Sequence, residues 1–333
     1  MESSIKDIEY YLPENILSND KLSREFPEWS AEKIEQKLGI RERRIAGENE
    51  TALDLGQKAC EKLIRKYPKE QIDFLLFCTE SPDYFIPPNA PLLQDRLCLR
   101  TDIGAFDFNL ACSGYVYGLS IAKGLIAADI SKSVLLVTAE TYSKHIHPKD
   151  KSNKTMFGDA AAATLICDTE KSGIGNFALG TDGTGYDKLI VHNGGFRNPY
   201  DPNAELIEYI EGSYRTNNNL YMNGPEIFNF TIKAVPIVVE QCLERNNVTI
   251  DEIDYVIFHQ ANKYMIEYLR KKTKIPQEKF HIDMLTTGNT VSCTIPIALR
   301  NSIDNKVIKS GDRVLIVGFG VGYSWGATII TIN

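Results

Sequence analysis

The chain contains an internal repeat, and this repeat limits the folds open to it more than any other feature of the sequence. Glu70–Phe77 (EQIDFLLF) matches Asp251–Phe258 (DEIDYVIF) at a displacement of 181 positions, and Ser133–Val137 (SVLLV) matches Arg313–Val317 (RVLIV) at 180. Each copy is a short apolar run preceded by polar residues, a pattern that predicts a buried β-strand. Two matches at nearly the same displacement indicate that the chain is a duplicated unit.

Helical patterns separate the strand-like runs in both copies. Ser113–Ala128 places apolar residues three and four positions apart, and Val291–Ile303 repeats this pattern at the matching place in the second copy. Ala161–Ile166 and Gly326–Ile332 resemble one further strand in each copy. Continuous apolar strands that alternate with helices indicate sheets covered on both faces. The sequence therefore predicts an α/β protein.

The predicted halves comprise residues 1–171 and 172–333, related by pseudo-two-fold symmetry, with a ligand crevice where they meet. Two regions depart from the repeat. Residues 1–50 contain a predicted N-terminal strand and a polar helix that ends in the basic run Arg41–Arg44. Residues 192–221 are rich in Asn, Gly and Tyr, and they are too many for an ordinary connection, which predicts a lid or binding loop.

Charge and hydropathy exclude several classes of function. The chain carries 37 Lys+Arg against 44 Asp+Glu, a net charge of −7, which argues against a general nucleic-acid-binding protein because such proteins have a basic face. Its first residues, MESSIKDIEYYLPENI, lack the apolar segment of a signal peptide. The longest apolar runs are too short to cross a bilayer. We expect a cytoplasmic protein with no membrane contact.

The cysteine and histidine spacing predicts neither a disulfide framework nor a metal centre. The chain has 7 cysteines, and no two are in C-x-x-C spacing. His145 and His147 are close enough to share a metal ion, but no carboxylate or thiol cluster completes the site. We therefore expect no metal and a reducing compartment, with the cysteines other than Cys112 acting as packing residues.

Cys112, in the segment FDFNLACSGYVYG, is the candidate nucleophile. A strand is predicted to end at this cysteine, and a helix begins directly after it. Unpaired N–H groups and the helix dipole favour negative charge at a helix N-terminus. We therefore expect the pKa of Cys112 to be lowered, giving enough thiolate for nucleophilic attack. The alternative is a small buried packing residue, and the residues alone leave both interpretations open.

His259, Asn289 and the glycine-rich segment near the C-terminus are further candidates. His259 follows the strand YVIF, where side chains at the carboxyl end of a strand face the ligand crevice. Gly288-Asn289-Thr290 opens the second repeated helix and alone indicates only a turn. Gly318–Gly322 (GFGVG) is followed by another strand, which argues against a dinucleotide site but allows backbone N–H groups to face an oxyanion.

The joint order of these motifs resembles the thiolase superfamily, and within it the β-ketoacyl-acyl-carrier-protein synthase III group. The resemblance rests on ACSG at Cys112, HQAN at His259, GNT at Asn289 and the terminal GFGVGYSWG. Further landmarks extend it over nearly the whole chain: LGIRERRIA at Leu38–Ala46, FGDAAAA at Phe157–Ala163 and MNGPEIF at Met222–Phe228. This resemblance implies a duplicated five-layer αβαβα fold.

The resemblance also implies a decarboxylating condensation of an acyl thioester with a malonyl thioester. Cys112 would hold the acyl group, while His259 and Asn289 would bind the thioester carbonyl of the malonyl donor. Backbone N–H groups of Cys112 and Val321 would stabilise the other oxyanion. Phe319 would provide an apolar wall that favours loss of the donor carboxylate.

Substrate contacts are implied in the same way. The acyl-group donor would be acyl-coenzyme A or an acyl carrier protein, the malonyl donor would be malonyl carrier protein, and no cofactor beyond these thioesters is expected. The implied substrate-binding residues are Trp29, Lys37, Lys151, Gly224, Asn262 and Ile86. Lys271 and Lys272 would form a basic patch for the acidic carrier protein, although a solvated helix face explains them equally well. Ile86 (DYFIPP) would enter the partner's acyl pocket in a homodimer.

Other functions on the same scaffold stay open from the sequence. One is an acyltransferase of a specialised or surface-glycan pathway, in which the acyl group moves to oxygen or nitrogen. Another is an enzyme similar to hydroxymethylglutaryl-coenzyme A synthase, because Glu80 stands in a TES setting like that of the catalytic glutamate there. A non-catalytic partner subunit is disfavoured, because all three triad positions hold competent residues.

Overall fold

The computed structural model describes residues 1–332, so residue 333 of the predicted second half lies outside the described residues. The strands are β1 (Glu2–Tyr11), β2 (Asn15–Ser18), β3 (Glu42–Ile45), β4 (Phe74–Cys78), β5 (Gly104–Phe108), β6 (Ser133–Glu140), β7 (Ala160–Thr169), β8 (Ala178–Thr181), β9 (Leu189–Val191), β10 (Ile207–Ile210), β11 (Ser213–Arg215), β12 (Leu220–Met222), β13 (Tyr255–Phe258), β14 (Phe280–His281), β15 (Arg313–Gly320) and β16 (Ser324–Thr331). The α-helices are α1 (Asn19–Glu25), α2 (Ala31–Leu38), α3 (Ala52–Ile64), α4 (Asn89–Arg96), α5 (Gly114–Ala127), α6 (Lys151–Lys154), α7 (Gly224–Arg245), α8 (Lys263–Lys272) and α9 (Thr294–Asp304).

Two sheets have the same strand arrangement, which confirms the duplication. The first has the order β1-β7-β6-β4-β5 and the second the order β8-β16-β15-β13-β14. In both, the fourth strand (β4 or β13) pairs in parallel with the third and the fifth, and the second strand (β7 or β16) pairs antiparallel with the first and the third. The predicted boundary between residues 171 and 172 falls in the connection from β7 to β8.

The sheets and helices form five layers, as the resemblance implies. Helices α5 and α9 lie between the sheets, where Val116 and Ile295 pack with Leu76 and Ile257. Helices α3 and α4 cover the outer face of the first sheet. Helices α7 and α8 cover the outer face of the second. Because successive side chains of a strand alternate between faces, apolar runs without polar positions fill both interfaces of each sheet.

The central helices begin later than the sequence patterns suggest, because a tight turn precedes each. Ala111–Ser113 and Val291–Cys293 form short 3-10 turns before α5 and α9. The first residue of each turn has a positive φ, 37° at Ala111 and 56° at Val291, a conformation that costs energy for side chains other than glycine. Strain at matching places of the two halves is typical of a turn that must present the following side chain in one direction.

Two sequence predictions differ from the structure, and one region contains more regular structure than the sequence suggests. The polar helix of residues 1–50 is two helices, α1 and α2, and the basic run Arg41–Arg44 lies largely in strand β3. Residues 192–221 are partly β-structure: β10 and β11 form a hairpin, and Tyr209 donates a 2.7 Å hydrogen bond to Asp150. Cys98 is exposed, so it is not a packing residue.

Within residues 1–332, no helix combines the length and apolar character needed to cross a membrane. These residues also contain no group of three or more His, Cys, Asp and Glu side chains placed to hold a metal ion.

Candidate active site

Cys112 lies on the turn that joins β5 to α5, and it is held there by contacts to the second half of the chain. The next residue, Ser113, donates to the carbonyl of Leu110, and its Oγ lies 2.7 Å from Oγ of Ser324 at the start of β16. Ser324 donates in turn to the carbonyl of Val321. Only 6% of Cys112 is exposed. The nucleophile turn therefore depends on both halves of the duplicated fold.

Glycines in β15 make room for this turn. A Cβ atom at Gly318 would lie 2.9 Å from the carbonyl oxygen of Cys112, and one at Gly320 would lie 2.8 Å from Cβ of Cys112. Neither glycine has a positive φ, so close approach of the backbones, not turn geometry, requires them. This is the physical role of the GFGVG motif.

The prediction that the pKa of Cys112 is lowered is wrong. Burial raises the pKa of the Cys112 thiol well above its ordinary value, and the charges of Glu80 and Glu140 raise it further. The sequence showed the helix N-terminus but not the two carboxyl groups behind the cysteine. With its pKa raised, Cys112 is a thiol at neutral pH, so nucleophilic attack by its sulfur requires a proton acceptor.

His259 is a neutral, buried histidine with one ring nitrogen engaged. Its backbone N–H donates to Val317 of the neighbouring strand β15, which fixes it at the carboxyl end of β13. Its Nδ1 atom lies 2.7 Å from Oγ1 of Thr294. Burial lowers the pKa of His259 to about 3. When the Thr294 hydroxyl donates to Nδ1, the proton stands on Nε2, and the ring is an uncharged donor.

Asn289 is oriented by its own turn. Its Oδ1 accepts a 2.9 Å hydrogen bond from the N–H of Val291, which leaves the amide Nδ2 as the free donor group. The backbone of Asn289 pairs with the segment Met156–Gly158 through its N–H and its carbonyl. Gly288 precedes it with φ of 72°, and a Cβ there would meet Cγ of Arg43 at 2.8 Å. Glycine is therefore needed in the GNT motif.

Arg43 packs against the turn that carries Asn289, a role that sequence analysis did not detect. The side chain is fully buried and donates to the carbonyl of Thr155 and to Oδ1 of Asn19. It also packs under Gly288 and Gly158. Burial lowers the pKa of Arg43 to about 9. Its place in LGIRERRIA marked a landmark, but nothing in the sequence indicated that its partners are the carbonyl of Thr155, 112 positions away, and the side chain of Asn19.

Cys112, His259 and Asn289 line one cavity of about 360 Å³. Phe319, Gly224 and Asn262, which were also predicted as site residues, line it too. The ring of Phe319 meets the ring of His259 edge to face, with centroids 5.6 Å apart, so an apolar wall stands beside the histidine. Val321 does not line this cavity, and its predicted backbone contribution to an oxyanion site stays a prediction.

A second cavity, of about 640 Å³, adjoins the first. Asn262 and Tyr264 line both cavities, and Lys37 and Lys271 line the second. Asn262 is the N-cap of α8, where its side chain accepts from the N–H of Met265. Asn262 and Tyr264 therefore separate the cavity that contains Cys112 from the second cavity. Lys272 instead lines a separate groove between α7 and α8. The predicted basic pair is therefore split between two faces.

The predicted coenzyme contacts lie together, but one of them is already engaged. The ammonium groups of Lys33, Lys37 and Lys151 lie 5.4 to 5.9 Å from the centre of the Trp29 ring. Lys151 is buried and forms a 2.6 Å ion pair with Glu28. This pairing neutralises Lys151, so the free positive charge at Trp29 comes from the other two lysines.

Ile86 does not line the cavity that contains Cys112, and it is 84% exposed. Its neighbours Tyr84 and Phe85 are exposed as well, and the ring of Phe85 contacts that of Phe196 in the 192–221 segment, 6.1 Å between centroids. Contiguous exposed aromatic and aliphatic side chains of this kind mark an interaction surface.

Comparison with known proteins identifies the family. The model of 3-oxoacyl-[acyl-carrier-protein] synthase III matches residues 106–183, which include Cys112, and the model of its C-terminal part matches residues 243–332, which include His259 and Asn289. A protein named beta-ketoacyl-[acyl-carrier-protein] synthase III from Clostridium perfringens is 37% identical over 325 residues, 97% of each chain. Another of the same name, from Fusobacterium nucleatum, is 35% identical over 98% of this chain and 97% of that one.

Solved structures agree with this assignment. A 3-oxoacyl-(acyl-carrier-protein) synthase III superimposes with a TM-score of 0.98 at 46% identity, with full coverage of both chains. The synthase III of Thermus thermophilus superimposes with a TM-score of 0.86 at 32% identity over 99% of both chains. Xanthomonas campestris OleA, at 17% identity and a TM-score of 0.82, shares the fold. The chain therefore belongs to the β-ketoacyl-acyl-carrier-protein synthase III family of acyl-transferring condensing enzymes.

Proposed function

We propose that this enzyme joins an acyl thioester primer to a malonyl thioester, with loss of CO₂, through an acyl group held on Cys112. The observation that carries the proposal is the meeting of Cys112, His259 and Asn289 in one cavity. The thiol supplies the nucleophile, and the other two supply donors without net charge. This combination suits a reaction in which negative charge develops on a thioester oxygen.

In the first half-reaction, Cys112 attacks the primer carbonyl, the new Sγ–C bond forms and the primer thiol leaves. Backbone N–H groups at Cys112 and Val321 are the proposed donors to the oxyanion. In the second, the malonyl thioester carbonyl accepts hydrogen bonds from Nε2 of His259 and Nδ2 of Asn289. Loss of CO₂ then leaves an enolate that those donors stabilise, and its carbon attacks the acyl-cysteine.

Phe319 favours loss of the carboxylate. It is buried beside His259, so a donor carboxylate bound there loses hydration without gaining a polar partner from this side chain. Decarboxylation removes the unfavourably placed charge. Neutral His259 fits this step better than a cation, because an ion pair with the carboxylate would hold it in place.

The proposed substrates are acyl-coenzyme A or acyl carrier protein as primer and malonyl carrier protein as donor, with no further cofactor. Gly224 and Asn262 line the cavity that contains Cys112 and are proposed to contact the substrate there. Trp29, Lys37 and Lys151 are proposed to bind the coenzyme. Lys271 and Lys272 are proposed to bind the carrier protein. The proposed setting is cytoplasmic. A homodimer is proposed as well, in which Ile86 of each copy contacts the other, supported by the exposed apolar segment around it.

Mass spectrometry of the purified protein tests the first half-reaction. We expect Cys112 to gain the acyl mass from at least one member of a panel of acyl-CoAs and acyl carrier proteins, and Cys112→Ser to gain no thioester.

The second half-reaction is tested with malonyl carrier protein labelled at the free carboxyl. We expect labelled CO₂ release to depend on both substrates, and Asn289→Ala to form acyl-enzyme yet release little CO₂. Acyl consumption without malonyl dependence would instead indicate transfer to an oxygen or nitrogen acceptor.

A further inference from the structure

Two acidic residues lie at the same sheet edge as the nucleophile. Strand β4 pairs in parallel with β6 and with β5, so that Cys78 stands opposite Thr138 and Phe108. Glu80 follows β4, Glu140 ends β6, and Cys112 follows β5. Because parallel neighbours end at one edge, the topology brings both carboxyl groups to the turn that carries Cys112.

Glu140 has the contacts of a structural acid. Its carboxyl group accepts hydrogen bonds from the N–H of Glu80 at 3.0 Å, from Oγ of Ser81 at 3.4 Å and from Oγ of Ser292 at 2.9 Å. Ser292 occupies the position in the second half that Cys112 occupies in the first. Burial raises the pKa of Glu140 well above its ordinary value, and the charge of Glu80 adds to this. Glu140 therefore joins the two halves behind the nucleophile.

Glu80 differs, because its carboxyl group has acceptor capacity left over. Tyr142 is its hydrogen-bonding side chain, and no Lys, Arg or His of residues 1–332 forms an ion pair with it. Burial raises the pKa of Glu80 to about 7. His145 touches only the backbone carbonyl of Glu80, with Nε2 at 3.2 Å, and burial lowers the pKa of this histidine, so it brings no positive charge.

Tyr142 lies in the same cluster of buried side chains as Cys112. It bonds to Glu80, and the pKa of its hydroxyl is raised by burial and then by the charges of Glu80 and Cys112. Its ring lies 4.9 Å from that of Phe157, which lines the cavity with Cys112. Cys78 and Cys293, both buried, are further titratable groups of this cluster; burial raises the pKa of Cys78 well above its ordinary value and that of Cys293 to about 12. The cluster thus holds acids and no base apart from neutral His145.

We propose that Glu80 and Cys112 share one proton, and that Glu80 holds the proton of the Cys112 thiol while the acyl group stands on the sulfur. This rests on the proposed function, since it assigns the missing proton acceptor of that site. A thiolate and a carboxylate in each other's field do not ionise together readily, so the pair carries a single negative charge. Glu80 acts through Tyr142 and is a positioning residue for the proton, not a contact of the substrate.

The proton balance closes over the cycle. During acylation the Sγ–C bond forms, the primer C–S bond breaks, the Sγ proton passes to the Glu80 carboxylate, and the departing thiolate takes a proton from solvent. During condensation the new C–C bond forms, the C–Sγ bond breaks, and the Cys112 thiolate takes its proton back from Glu80. Overall, one solvent proton is consumed and CO₂ is released.

The test compares Glu80→Gln with the wild-type enzyme in two reactions. The first is alkylation of Cys112 by iodoacetamide from pH 5.5 to 9.5, followed on the Cys112 peptide, with the exposed Cys98 in the same sample as reference. We expect the wild-type rate to level off above about pH 7 and the variant rate to keep rising, reaching about tenfold faster alkylation at pH 8.5 because a neighbouring charge shifts a pKa by one unit or more.

The second reaction is single-turnover condensation from enzyme preloaded with the acyl-CoA of the panel that acylates Cys112 fastest. Loss of a positioned proton donor is expected to slow this step by about tenfold or more. Faster alkylation together with slower condensation is the signature of a shared proton. Glu80→Asp keeps a carboxyl group, and we expect it to restore both behaviours. Glu48→Gln, an exposed site with the same charge change, is the matched control and is expected to match wild type in both.

Other outcomes overturn the proposal. Identical alkylation profiles mean that the two groups are not coupled. A variant faster in both reactions shows that Glu80 only suppresses the thiolate, and one slower in both shows a structural role. The alkylation measurement uses no thioester, so it stands even if the enzyme fails to condense malonyl carrier protein, which would contradict only the proposed function.

Discussion

Nδ1 of His259 and Oγ1 of Thr294 lie 2.7 Å apart, and this contact decides which proton the histidine presents to the cavity. The Thr294 hydroxyl is also 3.1 Å from the carbonyl oxygen of Val291, and it has one proton for these two acceptors. When it donates to His259, Nε2 carries the ring proton and serves as a donor. When it donates to Val291, Nδ1 carries the proton and Nε2 is left as a lone pair. The donor form is the one that an enolate requires.

Replacing Thr294 by Val is expected to lower the rate of malonyl decarboxylation about tenfold, because a lost hydrogen bond of this kind is worth about 1 to 1.5 kcal/mol. Acylation of Cys112 is expected to change less, since the proposed role of the donor is on the malonyl carbonyl. Release of labelled CO₂ from pre-acylated enzyme measures the first quantity and mass spectrometry the second. Thr294→Ser keeps the hydroxyl and is expected to stay within about threefold of wild type by the same estimate. Equal loss in both variants would contradict a role for the hydroxyl.

Gly320→Ala is expected to disable the nucleophile without unfolding the protein. The added Cβ would stand 2.8 Å from Cβ of Cys112 and 3.1 Å from its Sγ, so the thiol must move. A displacement of about 1 Å at a reacting atom costs about a hundredfold in rate. Time-resolved mass spectrometry of acyl-enzyme formation measures the effect.

Gly124→Ala is the matched control, because a Cβ at this position in α5 meets nothing within 4 Å. We expect it to leave acylation unchanged and to raise the free energy of unfolding by about 0.5 to 1 kcal/mol, as is usual for Gly to Ala within a helix. If Gly320→Ala acylated at the wild-type rate, the packing of β15 against the nucleophile turn would not be what positions Cys112.

Because folding lowers the pKa of His259, the free energy of unfolding is expected to decrease as the pH falls. The folded pKa is about 3 and the unfolded value is near 6.5, so the unfolded chain binds a proton first as the pH falls. The stabilisation from neutral His259 is complete above about pH 6.5 and is lost progressively towards pH 3. Urea unfolding across this range is expected to show a slope about 1.4 kcal/mol per pH unit steeper for wild type than for His259→Gln. Parallel curves would show that His259 is not held neutral by burial.

Much of the architecture follows from apolar runs and their displacement. The DFLLF and DYVIF runs become the interior strands β4 and β13, because a run with no polar alternation must be covered on both faces. Cys112, His259 and Asn289 were recognisable because each follows a strand or opens a helix. Their local context lies in consecutive residues, so the sequence could nominate each of them, although Cys112 and His259 follow strands of different sheets.

What the sequence did not reveal depends on partners distant in the chain. Thr294 orients His259 from the start of α9, 35 positions away, and Glu28 neutralises Lys151 from 123 positions away. The direction of the Cys112 pKa was wrong for the same reason, since Glu80 and Glu140 reach the thiol only through strand pairing. A helix N-terminus is visible in the sequence, but the desolvation that outweighs it is a property of the folded interior.

Substitutions at Lys271 and Lys272 distinguish a specific contact with the carrier protein from a general effect of surface charge. Lys271 lines the cavity that adjoins the one containing Cys112, whereas Lys272 lines the groove between α7 and α8. We expect Lys271→Glu to raise the KM for malonyl carrier protein about fivefold, which corresponds to about 1 kcal/mol for an exposed charge contact, and high salt to reduce the difference. Lys272→Glu makes the same change in net charge on the neighbouring residue and is expected to raise KM less than about twofold, since a screened charge outside the contact contributes little. Steady-state rates at low and high salt, with kcat expected to be unchanged, measure both. Equal effects of the two variants would mean that the carrier protein responds to the net charge of α8 and not to the position of Lys271.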